Sequence, residues 1–246
     1  MQLSQTTDCR TCPLRAQALF SPFTPDELAF METFKIGEIS LDAGRSFLHE
    51  GTSSPQVYTV LRGLGLRYKL LENGARQVVN FLLPGDFVGL QAMLMGEMKH
   101  SAMATTDIRL CVFDRGEIWS LFRNHPERAF DITWLAAMEE HYLGEAVATI
   151  GQRDATERVA WSLLKLFQRL RGVGLGLRDT VPLPYRQQDM ADALGLSLVH
   201  TNKTLARLRL QGVADWRDGV LRVADLARLA EVAMTDLEHP ETRPLL

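Results

Sequence analysis

The segment that most constrains the fold lies in the last quarter of the chain and reads "QQDMADALGLSLVHTNKTLARLRLQG". The pattern predicts a short helix over Gln187–Leu194, a tight turn that begins at Gly195, and a second helix that Ser197 caps. The second helix is expected to run to about Leu210 and to be ended by Gly212. Two helices joined by a glycine-containing turn of this length are typical of a helix-turn-helix.

A β-hairpin is predicted directly after the second helix. The segment "VADWRDGVLRV" has two short β-rich runs on either side of Asp218-Gly219, which is a strong hairpin-turn signal. The sequence therefore predicts a winged helix-turn-helix.

The second helix segregates charge in a way that suits contact with DNA. Between Ser197 and Gln211 it has cations but no Asp or Glu. Its apolar positions fall at helical spacing and are expected to face inward: Leu198, Thr201 through its methyl group, Leu205 and Leu208.

The outer face of this helix is the predicted DNA-reading surface. A helix that enters the major groove needs donors for base edges and cations for the flanking phosphates. The competing interpretation is a solvated basic face on a purely structural helix. The candidate DNA contacts are Ser197, Val199, His200, Asn202, Lys203 and Arg207.

Composition gives no independent sign of nucleic-acid binding, because the 246 residues carry a formal net charge of −3. Any DNA-binding surface must therefore be local. The hydrophobic fraction of 46% and the charged fraction of 23% are typical of a globular protein. The first residues lack a secretory signal pattern and no apolar run could span a bilayer, so we expect a cytoplasmic protein without a membrane partner.

The N-terminal half has a different periodicity. From about Ile39 to Phe113, short β-rich runs such as "QVYTVLRG" and "RQVVNFLL" alternate with turn residues, including the hairpin signal Asn73-Gly74. Strands this short, at spacings near ten residues, predict a small antiparallel barrel or sandwich.

A long helix is predicted over Pro126–Ile150, where no proline interrupts the chain after the first position. Its apolar residues fall on two sides, so both sides must be buried. Either the helix is enclosed within one chain or one side packs on a second copy. One stripe is Leu135, Met138 and Tyr142, and the other is Ile132, Ala136, Leu143, Ala146 and Ile150.

A further amphipathic helix is predicted after Asp154, which with Glu157 resembles a capping box. The segment "GVGLGLRD" then interrupts it. Its glycines follow a helix rather than a strand, so a connector is favoured over a dinucleotide-binding loop.

The order of these parts resembles the CRP/FNR family of bacterial transcription regulators over nearly the full chain. "NFLLPGDFVGLQAML" is similar to the family's roll motif, "DATERVA" to the segment that enters its DNA-binding domain, and "ALGLSLVHTNKTLARL" to its recognition element. The resemblance implies an α+β fold with an N-terminal antiparallel β-roll of the cyclic-nucleotide-binding type, a long central dimerisation helix and a C-terminal winged helix-turn-helix. The corresponding ranges are 1–125, 126–151 and 152–246. It also implies a homodimer on a palindromic operator of double-stranded DNA, with RNA polymerase as a further partner.

The resemblance also places the base-reading positions, which fall on Val199, Asn202 and Lys203. The family often has glutamate where Val199 stands and arginine where Lys203 stands, so its usual operator sequence does not carry over. Lysine contacts guanine less rigidly than a bidentate arginine does.

The effector is constrained by the residues after the "GDFVG" turn. The family's cyclic-nucleotide members hold the phosphate with an arginine there, but this chain has no arginine from Gly85 to Ile108, and His100-Ser101-Ala102 occupies the aligned position. A phosphodiester buried without a cationic partner is poorly compensated for its desolvation. The sequence therefore argues against cyclic AMP.

The chain has three cysteines, a C-x-x-C pair at Cys9 and Cys12 and a lone Cys111. A structural disulfide is not expected in a reducing compartment. The resemblance to the oxygen-sensing FNR branch implies that all three ligate an iron–sulfur cluster, but the further N-terminal cysteine of that branch is absent. Asp8 is the candidate for the missing ligand, and a cluster with one solvent-open iron is the alternative. A zinc site would have the same shortage of ligands.

The three cysteines also allow two interpretations that involve no metal at them. Cys9 and Cys12 could form a reversible thiol switch, or Cys111 could be a buried apolar residue with the effector elsewhere, as a haem or another small ligand.

Other classes of protein are less well supported. No G-x-S-x-G, H-E-x-x-H or Walker loop occurs, and His141 with Glu145 on the long helix fits a surface pair better than a metal site. We therefore expect no enzymatic activity. A scaffold that does not bind DNA would leave the acid-free recognition helix unexplained.

Overall fold

The computed structural model describes residues 6–237 and 241–246. The described chain begins with two 3-10 turns at Cys9–Thr11 and Pro13–Ala16, followed by helix α1 (Pro25–Phe34). Thr24 and Glu27 start α1 with a capping box, in which each side chain accepts a hydrogen bond from the other's backbone N–H.

Two antiparallel sheets form the predicted β-roll. Their orders are β1-β8-β3-β6 and β2-β7-β4-β5, with four strands in each. Alternating apolar residues from both sheets fill a common core that includes Ile39, Val60, Ala104 and Leu110. The strands are β1 (Lys35–Leu41), β2 (Ser46–Leu48), β3 (Gln56–Arg62), β4 (Gly65–Leu70), β5 (Arg76–Leu82), β6 (Phe87–Val88), β7 (Ser101–Ala104) and β8 (Ile108–Asp114).

Three helices interrupt or follow the roll: α2 (Leu90–Met95), α3 (Ile118–Asn124) and α4 (Pro126–Gln152). Helix α4 starts at the predicted proline and extends two residues past the predicted end. Along it, Ile132 is buried, whereas Met138 and Leu143 are 39% and 38% exposed. Within the single chain, no residue of the first predicted stripe is buried, and Ile132 is the one buried residue of the second.

The C-terminal part contains α5 (Ala155–Gly172), β9 (Thr180–Pro182), α6 (Gln187–Leu194), α7 (Leu198–Leu210), β10 (Asp215–Arg217), β11 (Val220–Arg222) and α8 (Leu226–Val232). The expected capping box is present: Asp154 accepts from the backbone of Glu157, and Glu157 accepts from the backbone of Asp154. The glycine-rich segment after α5 connects it to β9, as the sequence indicated.

The described residues form two compact units. The first contains the described residues up to Lys69, together with 80–140 and 242–246. The second contains residues 70–79 and the described residues from 141 to 241. The tip of the β4–β5 hairpin thus groups with the helix-turn-helix rather than with the roll.

A buried carboxylate fixes the N-terminal segment to the first unit. Glu38 on β1 has no solvent exposure and accepts hydrogen bonds from the Thr7 backbone N–H and from Lys35 Nζ, each at 2.6 Å. Arg109 on β8 makes an ion pair with its other oxygen. Lys35 also donates to the Thr7 carbonyl at 2.7 Å. Hydrogen bonds at the backbone N–H and at the carbonyl of Thr7 therefore hold the segment that precedes Cys9 on the sheet.

These contacts make Glu38 a stronger acid despite its burial. Burial alone would raise the pKa of Glu38, but the hydrogen bonds from Lys35 and Thr7 outweigh it and hold that pKa below its usual range. A carboxylate with a lower pKa in the folded state stabilises the fold above its unfolded pKa. This stabilisation is lost as the pH falls through the folded pKa.

Replacement of Glu38 by glutamine should test this network. Glu38→Gln leaves two cations short of a counter-ion, so the free energy of unfolding at pH 7 should fall by about 3 kcal/mol. The deficit relative to the wild type should shrink as the pH is lowered through the folded pKa of Glu38. Urea titrations at several pH values measure both effects.

The control is Glu97→Gln, which removes an exposed pair with Lys99 and should change stability by less than about 1 kcal/mol. A deficit for Glu38→Gln that matches this control, or that does not change with pH, would contradict the role given to Glu38.

Candidate nucleic-acid interface and cysteine site

The helix-turn-helix forms with the predicted boundaries. Helix α6 ends at Gly195, whose φ of 64° is the left-handed conformation that glycine adopts without strain. Helix α7 begins after Ser197, whose hydroxyl accepts a hydrogen bond from the His200 backbone N–H at 3.2 Å. These two local signals set the turn that directs α7.

The inner face of α7 is largely as expected. Thr201, Leu205 and Leu208 are buried, but Leu198 is 39% exposed and does not belong to the packed face. Thr204, which the sequence reasoning missed, is fully buried. Thr201 is buried to the same extent, but a hydroxyl residue at position 204 gave no apolar signal.

The outer face of α7 presents the predicted contact residues to solvent. Ser197, Val199, His200, Asn202, Lys203 and Arg207 are all exposed, and Val199 has 64% of its surface open. The capped N-terminus of α7 and its cations therefore share one open side, which is the arrangement that major-groove insertion needs.

The wing is a three-stranded sheet with the order β10-β11-β9. Asp218 and Gly219 both have positive φ, at 53° and 73°, as a tight hairpin turn requires. The hairpin prediction is confirmed. Strand β9 was not predicted, because three residues that end in Pro182 give little strand signal.

The first helix of the motif carries an acidic pair that the sequence reasoning missed. Asp189 is buried, accepts from the Arg186 backbone N–H at 2.9 Å, and pairs with the guanidinium groups of Arg186 and Arg76. Arg76 also contacts Asp192 at 2.6 Å. Burial opposes ionisation, but the bonds from Arg186 and Arg76 keep the pKa of Asp189 low. The acids of α6 are thus neutralised within the unit that presents α7.

The three cysteines lie in the first unit. Cys9 starts the first 3-10 turn and Cys12 precedes the second, and both are half-buried. Cys111 is buried on β8, where its backbone is in register with Glu38 of β1 and Thr59 of β3. The N-terminal pair has therefore folded back onto the sheet that carries the third cysteine.

The thiols are close enough to influence one another. Burial raises the pKa of Cys111 to about 12, and the Lys35 ammonium acts in the opposite direction. The thiols of Cys12 and Cys9 raise the Cys111 pKa further. Burial also raises the pKa of Cys9, again opposed by Lys35. Lys35 is thus a cation shared by the predicted site, and the sequence reasoning did not identify it.

The fit of a metal to this site is incomplete. Within residues 6–237 and 241–246, no three His, Cys, Asp or Glu side chains are grouped closely enough to hold a metal ion. Asp8, the candidate fourth ligand, uses a carboxylate oxygen to accept from the Arg10 backbone N–H at 2.8 Å. The residues as arranged do not fit an iron–sulfur or zinc site, and the iron–sulfur cluster stays a prediction.

The roll also contains a buried arginine that precedes the "GDFVG" turn in sequence. Arg67 on β4 donates from Nη2 to the carbonyl of Phe87, within that turn, at 2.8 Å. Burial and the nearby Arg67 charge lower the pKa of His100 to about 4, so its imidazole is neutral near pH 7. The prediction against cyclic AMP is not tested by these contacts.

Two family models match the chain. The cyclic nucleotide-binding domain matches residues 38–125, and the Crp-like helix-turn-helix domain matches residues 157–232. The ranges coincide with most of the roll and with the C-terminal helices and wing.

Named relatives cover nearly the whole chain. The nitrogen fixation regulation protein FixK of Bradyrhizobium diazoefficiens is 33% identical over 226 residues, which cover 92% of this chain and 93% of that protein. The transcriptional activator protein FnrL of Cereibacter sphaeroides is 31% identical over 235 residues, which cover 93% of this chain and 92% of that protein. The solved structure of FixK2 from Bradyrhizobium japonicum superposes with a TM-score of 0.73 at 26% identity, over 82% of this chain and 98% of that one.

These relatives are regulators of transcription rather than enzymes, which confirms that no enzymatic activity is to be assigned. His141 and Glu145, which lie 3.8 Å apart on α4, are a surface pair in which Glu145 also binds Lys165 at 2.8 Å. No helix in the described part of the chain combines the length and apolar character that a membrane span needs.

Substitution of the exposed cations of α7 should reduce DNA affinity in two different ways. Lys203→Ala should lower specific DNA binding by about 1–3 kcal/mol and weaken the preference at one base pair, because Lys203 is the predicted base contact. Arg207→Ala should weaken binding to all DNA sequences alike, because Arg207 is the predicted phosphate contact. It should also reduce the slope of log affinity against log salt concentration by roughly one. Titrations on a selected operator and a scrambled duplex at several salt concentrations measure both.

Each substitution is the control for the other, since both remove one exposed cation from the same helix. If Arg207→Ala altered base preference and Lys203→Ala did not, the docking register given to α7 would be wrong.

Proposed function

Because the chain belongs to the CRP/FNR family of transcription regulators, we propose that it binds a palindromic operator as a homodimer and responds to redox state through its cysteines. The observation that carries DNA binding is the acid-free, exposed outer face of α7 beside its capped N-terminus. RNA polymerase is the second macromolecular partner that membership of the family implies.

The dimer proposal rests on an open seam along α4. Leu143 and Val147 are exposed at 38% and 71%, and Ala136 and Ile150 at the same face are only half-buried. Their spacing of seven, four and three residues is that of a coiled-coil seam. A two-fold partner would cover these side chains and set two α7 helices on half-sites one duplex turn apart.

The seam is testable with neighbouring residues. Val147→Glu should give monomers and weaken operator binding, because two carboxylates would enter an apolar interface. Val147 is open in the single chain, so its substitution should leave the fold intact. Light scattering and DNA titration are the measurements.

Ala148→Glu is the matched control. It adds the same charge at an exposed position about 100° further around the helix, and should leave the mass and affinity unchanged. Monomers from Ala148→Glu, or an unaltered dimer from Val147→Glu, would remove α4 as the interface.

The sensor proposal rests on Cys9 and Cys111, because the Lys35 ammonium lies near enough to both thiols to oppose the rise in their pKa values. Oxidation of Cys9 and Cys12 would form an Sγ–Sγ bond, with loss of both thiol protons and transfer of two electrons to a hydroperoxide, which becomes an alcohol and water. A change at Cys9 reaches β1 and β8 through Lys35, Thr7 and Glu38. Strand β8 leads into α3 and α4, which carries the dimer seam.

Anaerobic purification distinguishes the forms that the sensor could take. Iron, sulfide and zinc analysis with a visible spectrum detects a cluster or a zinc ion, and peptide mass spectrometry after hydroperoxide detects a Cys9–Cys12 bond. In either form, we expect oxidation to change DNA affinity about tenfold or more, and we expect Cys9→Ser and Cys12→Ser to abolish the response.

Cys111→Ser separates the two chemistries. It should prevent loading of a cluster, but it should leave the Cys9–Cys12 bond able to form. Cysteine sensing would be excluded if the protein were metal-free and its DNA affinity changed neither with hydroperoxide nor with any of the three substitutions. A haem or another ligand would then be the remaining effector, and a failure to bind any duplex at low salt would favour a scaffold.

A further inference from the structure

Two strands of the roll and helix α4 contribute to a partly buried charge cluster that neither DNA binding nor the cysteines use. Arg67 on β4 has a side chain that is only 9% exposed, and its Nη1 lies 2.8 Å from Glu139 Oε1 on α4. Asn80 on β5 donates from Nδ2 to both oxygens of Glu139, at 3.1 and 3.2 Å. One carboxylate from α4 is therefore held by donors from two strands of the roll.

Each of the two donors is also held by a hydrogen bond to the backbone of the roll. The Asn80 carbonyl oxygen accepts from the Phe81 backbone N–H at 2.8 Å, which turns the amide nitrogen toward Glu139. Arg67 is anchored by its bond to the Phe87 carbonyl at the "GDFVG" turn. The geometry is that of a site built to receive a planar anion.

Of the cationic groups near Glu139, Arg67 is the one that Glu139 neutralises. Lys69 is paired with Glu50 at 2.8 Å, and the Glu50 backbone N–H donates to Ser101. His100 is buried and neutral near pH 7, and its Nε2 has no hydrogen-bond partner among the described residues. A guanidinium buried among these groups is costly unless an anion neutralises it.

Residues 38–125 match a domain class named for cyclic nucleotides, which are anions. We propose that Glu139 is a built-in anionic ligand of the roll: its carboxylate occupies the anion position at Arg67 and Asn80 and holds α4 on the roll without a small-molecule effector. Removal of the Glu139 side chain should convert this position into a binding site for small carboxylates. Neither the cysteine chemistry nor the operator is required for this role of Glu139.

The test is chemical rescue of Glu139→Ala. This variant should have a lower Tm than the wild type, and sodium formate should raise its Tm by about 3 °C more than sodium chloride at equal ionic strength. Wild-type protein should show no difference between the two salts, because its own carboxylate fills the site. Calorimetric titration of Glu139→Ala with formate should show saturable binding.

Two controls make the rescue specific. Glu127→Ala removes an exposed acid from the same helix and should respond to formate no more than the wild type does. Arg67→Met combined with Glu139→Ala removes the anion's partner and should lose the formate effect.

The outcomes decide the proposal. Glu139→Ala that is folded but indifferent to formate overturns it, and so does a variant that stays unfolded in formate, because the missing carboxylate has then been resupplied without effect. Wild-type protein that is stabilised by formate or cyclic AMP as strongly as the variant also overturns it, since the position would not be filled by Glu139.

Discussion

The buried carboxylate of Glu38 is the contact on which the arrangement of the first unit depends. It lies on the strand that pairs with β8, and it binds a lysine, an arginine and the backbone of the N-terminal segment. A carboxylate without solvent exposure is stable only when its oxygens are satisfied, so these partners cannot be separated without leaving a charge unpaired. Their pairing holds Thr7, two residues before Cys9, at the strand that pairs with the strand of Cys111.

The same constraint recurs elsewhere in the chain. Arg67 in the roll takes its counter-ion from α4, and Asp189 in the helix-turn-helix takes cations from its own helix start and from the β4–β5 hairpin. The pairs Arg67–Glu139 and Arg76–Asp189 join segments that are distant in sequence, and Arg76 and Asp189 are 113 positions apart. Buried charges therefore fix which helix or hairpin packs on which element, whereas apolar contacts alone would tolerate some sliding.

The helix-turn-helix and its wing are determined mainly by signals between residues close in sequence. Its first helix ends at a left-handed glycine, its second begins at a serine cap, and its wing turns at two residues with positive φ. Each signal acts within a few residues, so the orientation of α7 is encoded almost entirely by the segment that contains it. A regulator needs this part to be rigid, because base contacts and phosphate contacts must be made together. The first unit depends instead on contacts between segments distant in sequence, such as those of Glu38 with Thr7 and Arg109.

The sequence by itself determined the helix-turn-helix, the hairpin of the wing, the start of α4 and the exposed outer face of α7, because caps, glycines and apolar periodicity act locally. It also indicated the class of the roll through turn signals. Only the tertiary structure decided which distant residues meet: Thr7 with Glu38, Arg67 with Glu139, and strand β9 with the wing. Asn80 and Glu139 are 59 positions apart, and no spacing rule links residues at that distance. Such pairs form because a folded interior cannot leave a charge or a donor without a partner, and that requirement acts only after the chain has closed around them.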